Sequence, residues 1–355
     1  MTDHQTLSTL STPKQLGYRL PAEWEPHAAT WVTWPHNAET WPGILTSVQS
    51  TFARTIAVLA RNETVHINVN GDQMQDEAEA HLRQAGTRGD IRFHHLPTND
   101  AWCRDYAAIF LVDGTTASRG LIATNWDYNA WGEKYVPFDL DEGVAAGMAD
   151  ELGIDCIPAN MVLEGGSIDV NGQGLLLTTE SCLLNANRNP QLDREAIERR
   201  LIDYLGVDRI LWLRAGIAGD DTDGHVDDVA RFVGVSTVVA AVEEDPADVN
   251  YQPLAANRAL LKNMKDLDAK PLEIVELPMP PAVTYQGERL PASYANFYIA
   301  NQTVLLPGYH PPTDERAKAV LQQVFPDREI VIIDCTDVIA GLGAFHCLTQ
   351  QVPAV

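Results

Sequence analysis

The chain alternates between two hydrophobic patterns, one with helical spacing and one of short apolar runs. Helical spacing marks six amphipathic stretches, at residues 44–61, 72–86, 140–152, 191–205, 254–267 and 313–324. Asp72 and Thr313 are typical of the first turn of two of these helices. Nearly every stretch leads into a short β-rich run, at 65–68, 91–96, 209–213, 273–277 and 330–333. This alternation predicts an α/β protein.

Several of those runs are followed by a polar, glycine-bearing segment and then by two strands joined by a turn. The turns lie at residues 112–116, 170–174 and 299–303, and the hairpins begin near 105, 167, 225 and 294. A last strand at 345–353 has no later partner, so we expect it to pair with the strand at 29–35. The pattern predicts five units that the two ends of the chain close into a ring.

The spacing of ionisable residues supports equivalent units. Asp105 and Glu164 are 59 residues apart, Glu164 and His225 are 61 apart, and His225 and Cys347 are 122 apart. Equivalent positions in successive units would face one central axis and could share a site. No matching residue identities accompany this period, so coincidence is the alternative interpretation. We predict a flexible tail at 1–17 and a single catalytic domain at 18–355.

Charge and cysteine content narrow the classes of function. The 355 residues have a formal net charge of −24, which would repel nucleic acid and anionic membranes and is compatible with a cationic substrate. The five cysteines, an odd number without a CxxC pair, do not predict a disulfide framework or a zinc motif. The first residues are polar, without the apolar run of a signal peptide. We therefore expect a cytoplasmic protein, for which a homo-oligomer is compatible with the sequence.

Four polar segments at one phase of the repeat contain the candidate chemistry: residues 99–105, 164–169, 221–228 and 341–347. His225 and Asp227 are two residues apart, so on a strand their side chains would share a face. One interpretation is a metal site with the ligands His225, Asp227, Asp223 and His346. These residues match no standard zinc pattern. The other interpretation is nucleophilic catalysis, in which Cys347 attacks and His225 transfers protons.

Acidic residues in the same segments predict the charge of the substrate. Asp105, Glu164 and Asp227 would face one cavity, and several buried acids are costly unless a cation neutralises them. A planar guanidinium pairs with carboxylates through bidentate hydrogen bonds. The alternative for Cys347 is a small buried hydrophobe, the usual role of a free cysteine. Glycines before it and the polar residues 349–351 after it favour a nucleophile.

Seven segments together resemble the agmatine deiminases, a family of the guanidine-modifying superfamily. They are residues 19–35, 99–105, 128–135, 163–169, 223–228, 292–301 and 346–353. The resemblance implies a five-bladed, pseudo-symmetric α/β propeller (the pentein fold), with no cofactor and no metal. It also implies hydrolysis of a small cationic guanidino substrate: agmatine would become N-carbamoylputrescine and ammonia, on the route to putrescine and other polyamines.

The resemblance implies a role for each candidate residue. Cys347 would attack the guanidinium carbon, and His225 would protonate the leaving ammonia and then activate water against the thiouronium intermediate. Asp105 and Asp227 would hold the guanidinium nitrogens, and Glu164 would support His225 and the substrate. Further substrate contacts are expected from Asp100, Trp102, Trp131 and Gly343. For the tryptophans, packing between blades is an equally good explanation.

Two departures from the family pattern border the expected pocket. Tyr106-Ala107-Ala108 stands where the family usually has a Gly-Pro pair, and Leu342 replaces the middle one of three glycines before the His-Cys pair. These departures affect the predicted identity of the substrate more than the predicted type of reaction. The alternatives are a deiminase of peptidyl-arginine or of a modified arginine, an amidinotransferase, a metallohydrolase and a non-catalytic polyamine-binding protein. Three carboxylates around Cys347 also predict a raised thiol pKa.

Overall fold

The structure is a computed structural model that describes residues 11–114 and 120–355. Within those residues the strands form five sheets of three or four strands and one two-stranded ribbon. The predicted turn at 112–116 extends beyond the described residues. In the predicted tail, residues 13–17 form turns, and the Lys14 ammonium pairs with Asp208 at 2.6 Å. The rest of that predicted tail, residues 1–10, lies outside the described residues.

One arrangement recurs in all five sheets, which we name blades 1 to 5. Two neighbouring strands are antiparallel, and a third strand returns after a helix and runs parallel to the second. This is the predicted five-bladed propeller. Blade 1 contains Thr349–Pro353, His27–Thr33, Thr64–Asn68 and Ile91–His94. Blade 2 contains Tyr18–Arg19, Ile109–Asp113, Leu121–Asp127 and Cys156–Val162.

The other three blades have three strands each. Blade 3 contains Ile168–Val170, Leu175–Thr179 and Arg209–Leu213. Blade 4 contains Ala230–Gly234, Thr237–Val242 and Glu273–Pro278. Blade 5 contains Tyr298–Ile299, Thr303–Gly308 and Glu329–Asp334, and the ribbon Thr284–Tyr285 with Glu288–Arg289 precedes it.

Blade 1 confirms that the two ends of the chain close the ring. The last strand, Thr349–Pro353, lies antiparallel to His27–Thr33, and Thr349 is opposite Val32. Parallel neighbours on the other side, Thr64–Asn68 and Ile91–His94, complete this sheet. Blade 1 therefore joins the segment that ends in Cys347 to the segment that contains Glu23.

Helices lie between the strands, and all but the short Glu180–Leu183 lie close to a predicted amphipathic stretch. They are Leu45–Leu59, Asp72–Gln84, Asp139–Glu142, Val144–Leu152, Glu180–Leu183, Arg194–Leu205, Tyr251–Leu261 and Pro311–Val324. Leu45–Leu59 shows why: it buries Val48, Phe52, Ile56 and Leu59, which share one helical face. None of the described helices is long and apolar enough to cross a bilayer.

Short helical turns stand where the hairpins were expected to begin. They are Cys103–Tyr106, Gly165–Ser167, Val226–Asp228 and Tyr294–Asn296, each directly before a blade's first strand. The hairpins of blades 2, 4 and 5 accordingly start at Ile109, Ala230 and Tyr298, four or five residues later than predicted. The expectation that His225 and Asp227 share the face of a strand is wrong, because both precede that strand. These turns present the polar side chains of the candidate site.

Candidate active site

Three predicted residues meet around Gly166, in the turn that follows Glu164. A methyl group on Gly166 would lie 2.6 Å from His225 Nδ1, 2.8 Å from Asp105 Oδ1 and 3.1 Å from Asp227 Oδ2. No side chain larger than hydrogen fits at those distances. Glycine is therefore required here by close approach, and the turn brings residues from blades 2, 3 and 4 together.

Cys347 joins this group from the segment before the last strand. Its Sγ lies 3.7 Å from Asp227 Oδ2, and Asn296 Nδ2 donates to Sγ over 3.1 Å. Asn296 also fixes the backbone, because its Oδ1 accepts from the N–H of His346 at 3.1 Å. Burial raises the pKa of the Cys347 thiol well above its ordinary value, and the charges of Asp227, Asp228 and Asp105 raise it further. The raised pKa of the Cys347 thiol agrees with the prediction. Burial is the largest cause, and the third acid that contributes is Asp228, where Glu164 was expected.

Asp105 lies in the turn Cys103–Tyr106 and receives two neutral hydrogen bonds. The Gly166 N–H donates to Oδ1 at 2.9 Å, and Trp131 Nε1–H donates to Oδ2 at 3.0 Å. Burial raises the pKa of Asp105 to about 6; the charges of Asp227 and Glu164 act in the same direction, and His225 opposes them. Asp105 is therefore an acid that titrates close to neutral pH.

Asp227 has the opposite electrostatic setting. Its Oδ2 faces His346 Nδ1 at 2.7 Å. Burial opposes ionisation, but the hydrogen bond and the charge of His346 outweigh it, with help from His225 and Arg231, and the pKa of Asp227 is lowered. Asp227 therefore remains an anion at neutral pH.

His225 and Glu164 lie beside each other on the same wall. His225 Nδ1 is 3.9 Å from Asp105 Oδ1. Burial alone would lower the pKa of His225, but Asp105 and Cys182 outweigh it and raise this pKa well above its ordinary value. A charged His225 can act as a general acid. Glu164 is fixed by Arg188, whose Nε donates to Oε1 at 2.5 Å, and Arg188 also binds Asp223 at 2.8 Å.

Several buried polar atoms of the candidate site have no hydrogen-bond partner among the described residues. They are Glu164 Oε2, Asp227 Oδ1, and both ring nitrogens of His225. Leaving such atoms unpaired costs about 1–3 kcal/mol each. The two carboxylate oxygens can only accept, so they favour a ligand that offers hydrogen-bond donors.

The four predicted substrate-binding residues have different settings. Trp131 binds Asp105 and belongs to a turn in which residues 130 to 133 all have positive φ. Trp102 packs on Trp41, and a methyl group on Gly343 would meet Trp102 at 2.5 Å and the Cys347 Cβ at 3.1 Å. Gly343 is thus needed for close packing.

Asp100 is occupied by the protein itself. Its oxygens accept from Asn37, Thr40 and the N–H of Ala101. The structure thus gives Asp100 a bracing contact with the loop before Leu45–Leu59. Its role in binding substrate stays a prediction.

The metal site that the sequence offered as an alternative has the predicted ligands His225, Asp227, Asp223 and His346. Among the described residues, one group has donor atoms within 4.8 Å of one another: Glu164, Cys182 and His225. It shares only His225 with the four predicted ligands. The guanidinium of Arg188 already neutralises Glu164, so this group lacks the free anionic charge that favours a divalent cation.

The two departures from the family pattern have clear structural consequences. Leu342 has φ +74°, a left-handed conformation that disfavours a β-carbon, and its half-buried side chain packs on the core. Tyr106 is buried, and its hydroxyl donates to the Asp100 carbonyl at 2.9 Å and lies 2.8 Å from the Thr33 hydroxyl. Neither change removes a side chain that lies around Gly166.

Sequence reasoning missed Asn296, Arg188, His346 as a neighbour of Asp227, and Glu23. Asn296 occupies the turn of the one unit that the interval of 122 residues skipped, and this interval was the available signal. Glu23 lies in segment 19–35, whose other residues mark only the fold. It reaches the site through His346 Nε2, 2.8 Å from its Oε2.

Known proteins similar to this chain were found at the level of family, sequence and structure. Residues 19–353 match the model of the Porphyromonas-type peptidyl-arginine deiminase family. The agmatine deiminase of Pseudomonas aeruginosa strain UCBPP-PA14 is 38% identical over 97% of this chain and 98% of its own length. The structure of an Enterococcus faecalis agmatine deiminase "catalyzing its reaction" superimposes with a TM-score of 0.90, at 33% identity and over 97% and 98% of the two chains.

A cysteine-to-serine variant of the C. jejuni agmatine deiminase, solved with substrate bound, is also similar. Its TM-score is 0.85, at 29% identity over 94% of this chain and 96% of that one. Sequence and structure thus agree over nearly the whole chain.

Proposed function

This chain belongs to the Porphyromonas-type peptidyl-arginine deiminase family, and we propose that it hydrolyses agmatine to N-carbamoylputrescine and ammonia. Its relatives at 37–38% identity are agmatine deiminases that it matches almost end to end. The reaction is hydrolysis of a carbon–nitrogen bond in a linear amidine. The proposal assigns the chemistry to Cys347, His225, Asp105, Asp227 and Glu164.

The observation that carries this proposal is a pair of buried acceptors in the candidate site that have no donor among the described residues. Asp227 Oδ1 and Glu164 Oε2 are buried carboxylate oxygens without a hydrogen-bond donor. A guanidinium offers only N–H donors in a planar fork, and it adds the positive charge that buried acids need. Substrate binding would thus satisfy these atoms and place the guanidinium carbon close to Cys347 Sγ.

The charges also explain how a thiol with a raised pKa becomes a nucleophile. Guanidinium binding offsets the field of Asp227, Asp228 and Asp105, lowers the pKa of the Cys347 thiol and releases its proton. The thiolate then forms an S–C bond to the guanidinium carbon. His225, charged at neutral pH, gives its proton to the departing nitrogen, and ammonia leaves a thiouronium bound to Cys347.

Hydrolysis completes the cycle. The neutral His225 accepts a proton from water, and the hydroxide adds to the thiouronium carbon. The S–C bond then breaks, the departing sulfur takes up the hydroxyl proton so that the Cys347 thiol is restored, and the carbon keeps the oxygen as the carbamoyl group of N-carbamoylputrescine. His225 is again protonated, as it was at the start.

The choice of agmatine over arginine rests on the relatives and on charge near the Trp131 turn. Arginine has a carboxylate that would need an unpaired cation. Lys134, three residues after Trp131, is already paired with Asp223 at 2.9 Å. Lys134 therefore offers no free positive charge to a carboxylate, and agmatine has no carboxylate to bind.

Ammonia release from a panel of guanidines tests the proposal. We expect turnover of agmatine and much less of free arginine, a blocked arginyl peptide and methylated arginines. Cys347→Ser should abolish turnover, because a serine hydroxyl is a far weaker nucleophile, while Cys335→Ser, a change at a buried cysteine of blade 5, should retain it. Full activity of Cys347→Ser would refute the mechanism, and preference for the arginyl peptide would refute the substrate.

A further inference from the structure

A line of buried charged side chains runs from Asp227 to Glu23. His346 Nδ1 lies 2.7 Å from Asp227 Oδ2, and His346 Nε2 lies 2.8 Å from Glu23 Oε2. Glu23 pairs in turn with Arg231 Nη2 at 2.8 Å. All four residues are buried. The line thus connects the candidate site to a residue near the start of the chain that the proposed chemistry does not use.

The charges in this line balance. Arg231 Nε donates to Asp169 Oδ2 at 2.5 Å, and Arg104 Nη2 lies 3.6 Å from Glu23 Oε2. With a charged His346, the line contains three cations and three anions: His346, Arg231 and Arg104 against Asp227, Glu23 and Asp169. Buried charges are tolerated when they are paired and hydrogen-bonded in this way. A neutral His346 would leave the line with a surplus negative charge.

Hydrogen-bond chemistry leads to the same protonation state. Both ring nitrogens of His346 face carboxylate oxygens, and an ionised carboxylate can only accept. Each nitrogen must therefore carry a proton for both bonds to exist. A ring with one proton would place a nitrogen lone pair against an anionic oxygen at less than 3 Å.

We propose that His346 and Glu23 are positioning residues, which hold the Asp227 carboxylate ionised and oriented toward the guanidinium. The inference rests on the proposed function, in which Asp227 binds the substrate. His346 binds Oδ2 and leaves Oδ1 without a protein partner. Glu23 acts through His346, because its charge retains the second proton on the ring.

The surroundings of Asp227 explain why such support is needed. The other groups that face it are Asp105, Asp228, Cys347, His225 and, at longer range, Arg231. Two of these are acids that oppose a negative charge on Asp227. The imidazolium of His346 donates directly to Asp227 and compensates for them.

Glu23→Gln tests the proposal by removing the charge while keeping the shape. His346 should then hold one proton, and the pKa of Asp227 should rise. We expect kcat/KM for agmatine to fall at least about tenfold at pH 6, since each pKa unit is a factor of ten. At pH 9, where Asp227 is ionised again, the loss should be within about threefold. A merely structural role would lower kcat/KM by the same factor at both values.

Glu25→Gln is the matched control. Glu25 lies two residues away and pairs with Arg19 at 2.6 Å, outside the line. Its pH profile should match that of the unmodified enzyme. An acid limb shifted as much as in Glu23→Gln would overturn the proposal.

Nitrogen-15 NMR of histidine-labelled, unmodified protein measures the protonation of the two His346 ring nitrogens directly. This measurement does not depend on whether Glu23→Gln folds. His346 signals are assigned by their loss in His346→Gln. In the unmodified protein at pH 7.5 both ring nitrogens should be protonated, and one proton would overturn the proposal. If the unmodified enzyme does not turn over agmatine, the proposed function fails, while this reading of His346 stands.

Discussion

Two aspartates with the same expected task occupy opposite electrostatic settings. The Asp105 pocket (Asp105, Gly166 and Trp131) offers neutral N–H donors, and burial raises the pKa of Asp105 to about 6. The Asp227 pocket (Asp227, His346 and Glu23) offers a buried cation, and the pKa of Asp227 is lowered despite burial. Both pockets meet at Gly166. The pKa of one acid is lowered, and the pKa of the other is raised to about 6.

The difference shows how a site can bind a cation without becoming unstable when empty. If Asp105 were an anion at every pH as well, the free enzyme would hold one more buried negative charge close to the thiol, where burial already opposes the ionisation of Asp105. Because Asp105 can take a proton, part of that repulsion is relieved when no substrate is bound. A guanidinium would favour the ionised form of Asp105, so binding should be accompanied by proton release near pH 6.

Asp227→Asn should have the largest effect on stability. The change removes the anion that faces His346 and leaves a buried cationic ring without one of its two partners. Breaking a buried pair in this way typically costs about 3–5 kcal/mol. Urea unfolding at pH 8 measures the free energy of unfolding, and kcat/KM should also fall by at least about a hundredfold. A loss of stability below about 1 kcal/mol would show that the Asp227 pocket has no special electrostatic role.

Asp105→Asn should lower the free energy of unfolding by less than Asp227→Asn does. Its effect on this free energy should also depend on pH in the opposite direction. The variant loses one acceptor, worth about 1 kcal/mol, and also loses a carboxylate whose ionisation burial opposes. An unfolded aspartate ionises near pH 3.9 and the folded Asp105 near about 6, so the folded state binds more protons between these values. The unfolding free energy of the unmodified protein should therefore fall as pH rises from about 4 to about 6.

That slope should be weaker in Asp105→Asn. A folded acid with a lowered pKa behaves in the opposite way: Asp227 stabilises the fold above about pH 3.9, and this contribution disappears as pH falls through its folded pKa. Unfolding measured from below about pH 3.9 up to pH 8 for both variants would separate the two pockets. Identical pH slopes in the two variants would contradict the comparison.

Most of the propeller could be predicted from the chain, because burial imposes a period on each of its elements. The pairing of 345–353 with 29–35 followed from the one strand left without a mate, and the structure confirms it. The proximity of His225 and Asp227 was expected for a reason that proved wrong, since a helical turn and not a strand presents them.

The side chains that surround each acid could not be predicted from local patterns in the sequence. Asn296 and Glu23 act through contacts with residues 51 and 323 positions away in sequence. Such contacts depend on how the blades pack, and no local pattern encodes that packing. Asp105 and Asp227 likewise look alike in the sequence and differ only in the donors that the fold brings to them.

Trp131→Phe should give the smallest effect and tests the Asp105 pocket alone. The change keeps an aromatic ring and removes the N–H that donates to Asp105 Oδ2 over 3.0 Å. Losing one donor to the charged form should raise the pKa of Asp105 further and cost about 1 kcal/mol of binding free energy. Calorimetry with agmatine and a Cys347→Ser background should show an acid limb of binding near pH 6, moved upward by about half a unit or more in Trp131→Phe.

Trp126→Phe is the control for this last change, because Trp126 Nε1–H donates to Thr124 at 3.0 Å instead of to an acid. It should leave the limb unmoved. If Trp131→Phe weakens binding equally at pH 5.5 and pH 8, Trp131 contributes only packing, and the neutral donors do not set the pKa of Asp105. If the limb moves in Trp131→Phe alone, the indole N–H helps to determine the pH at which the second carboxylate becomes available to the substrate.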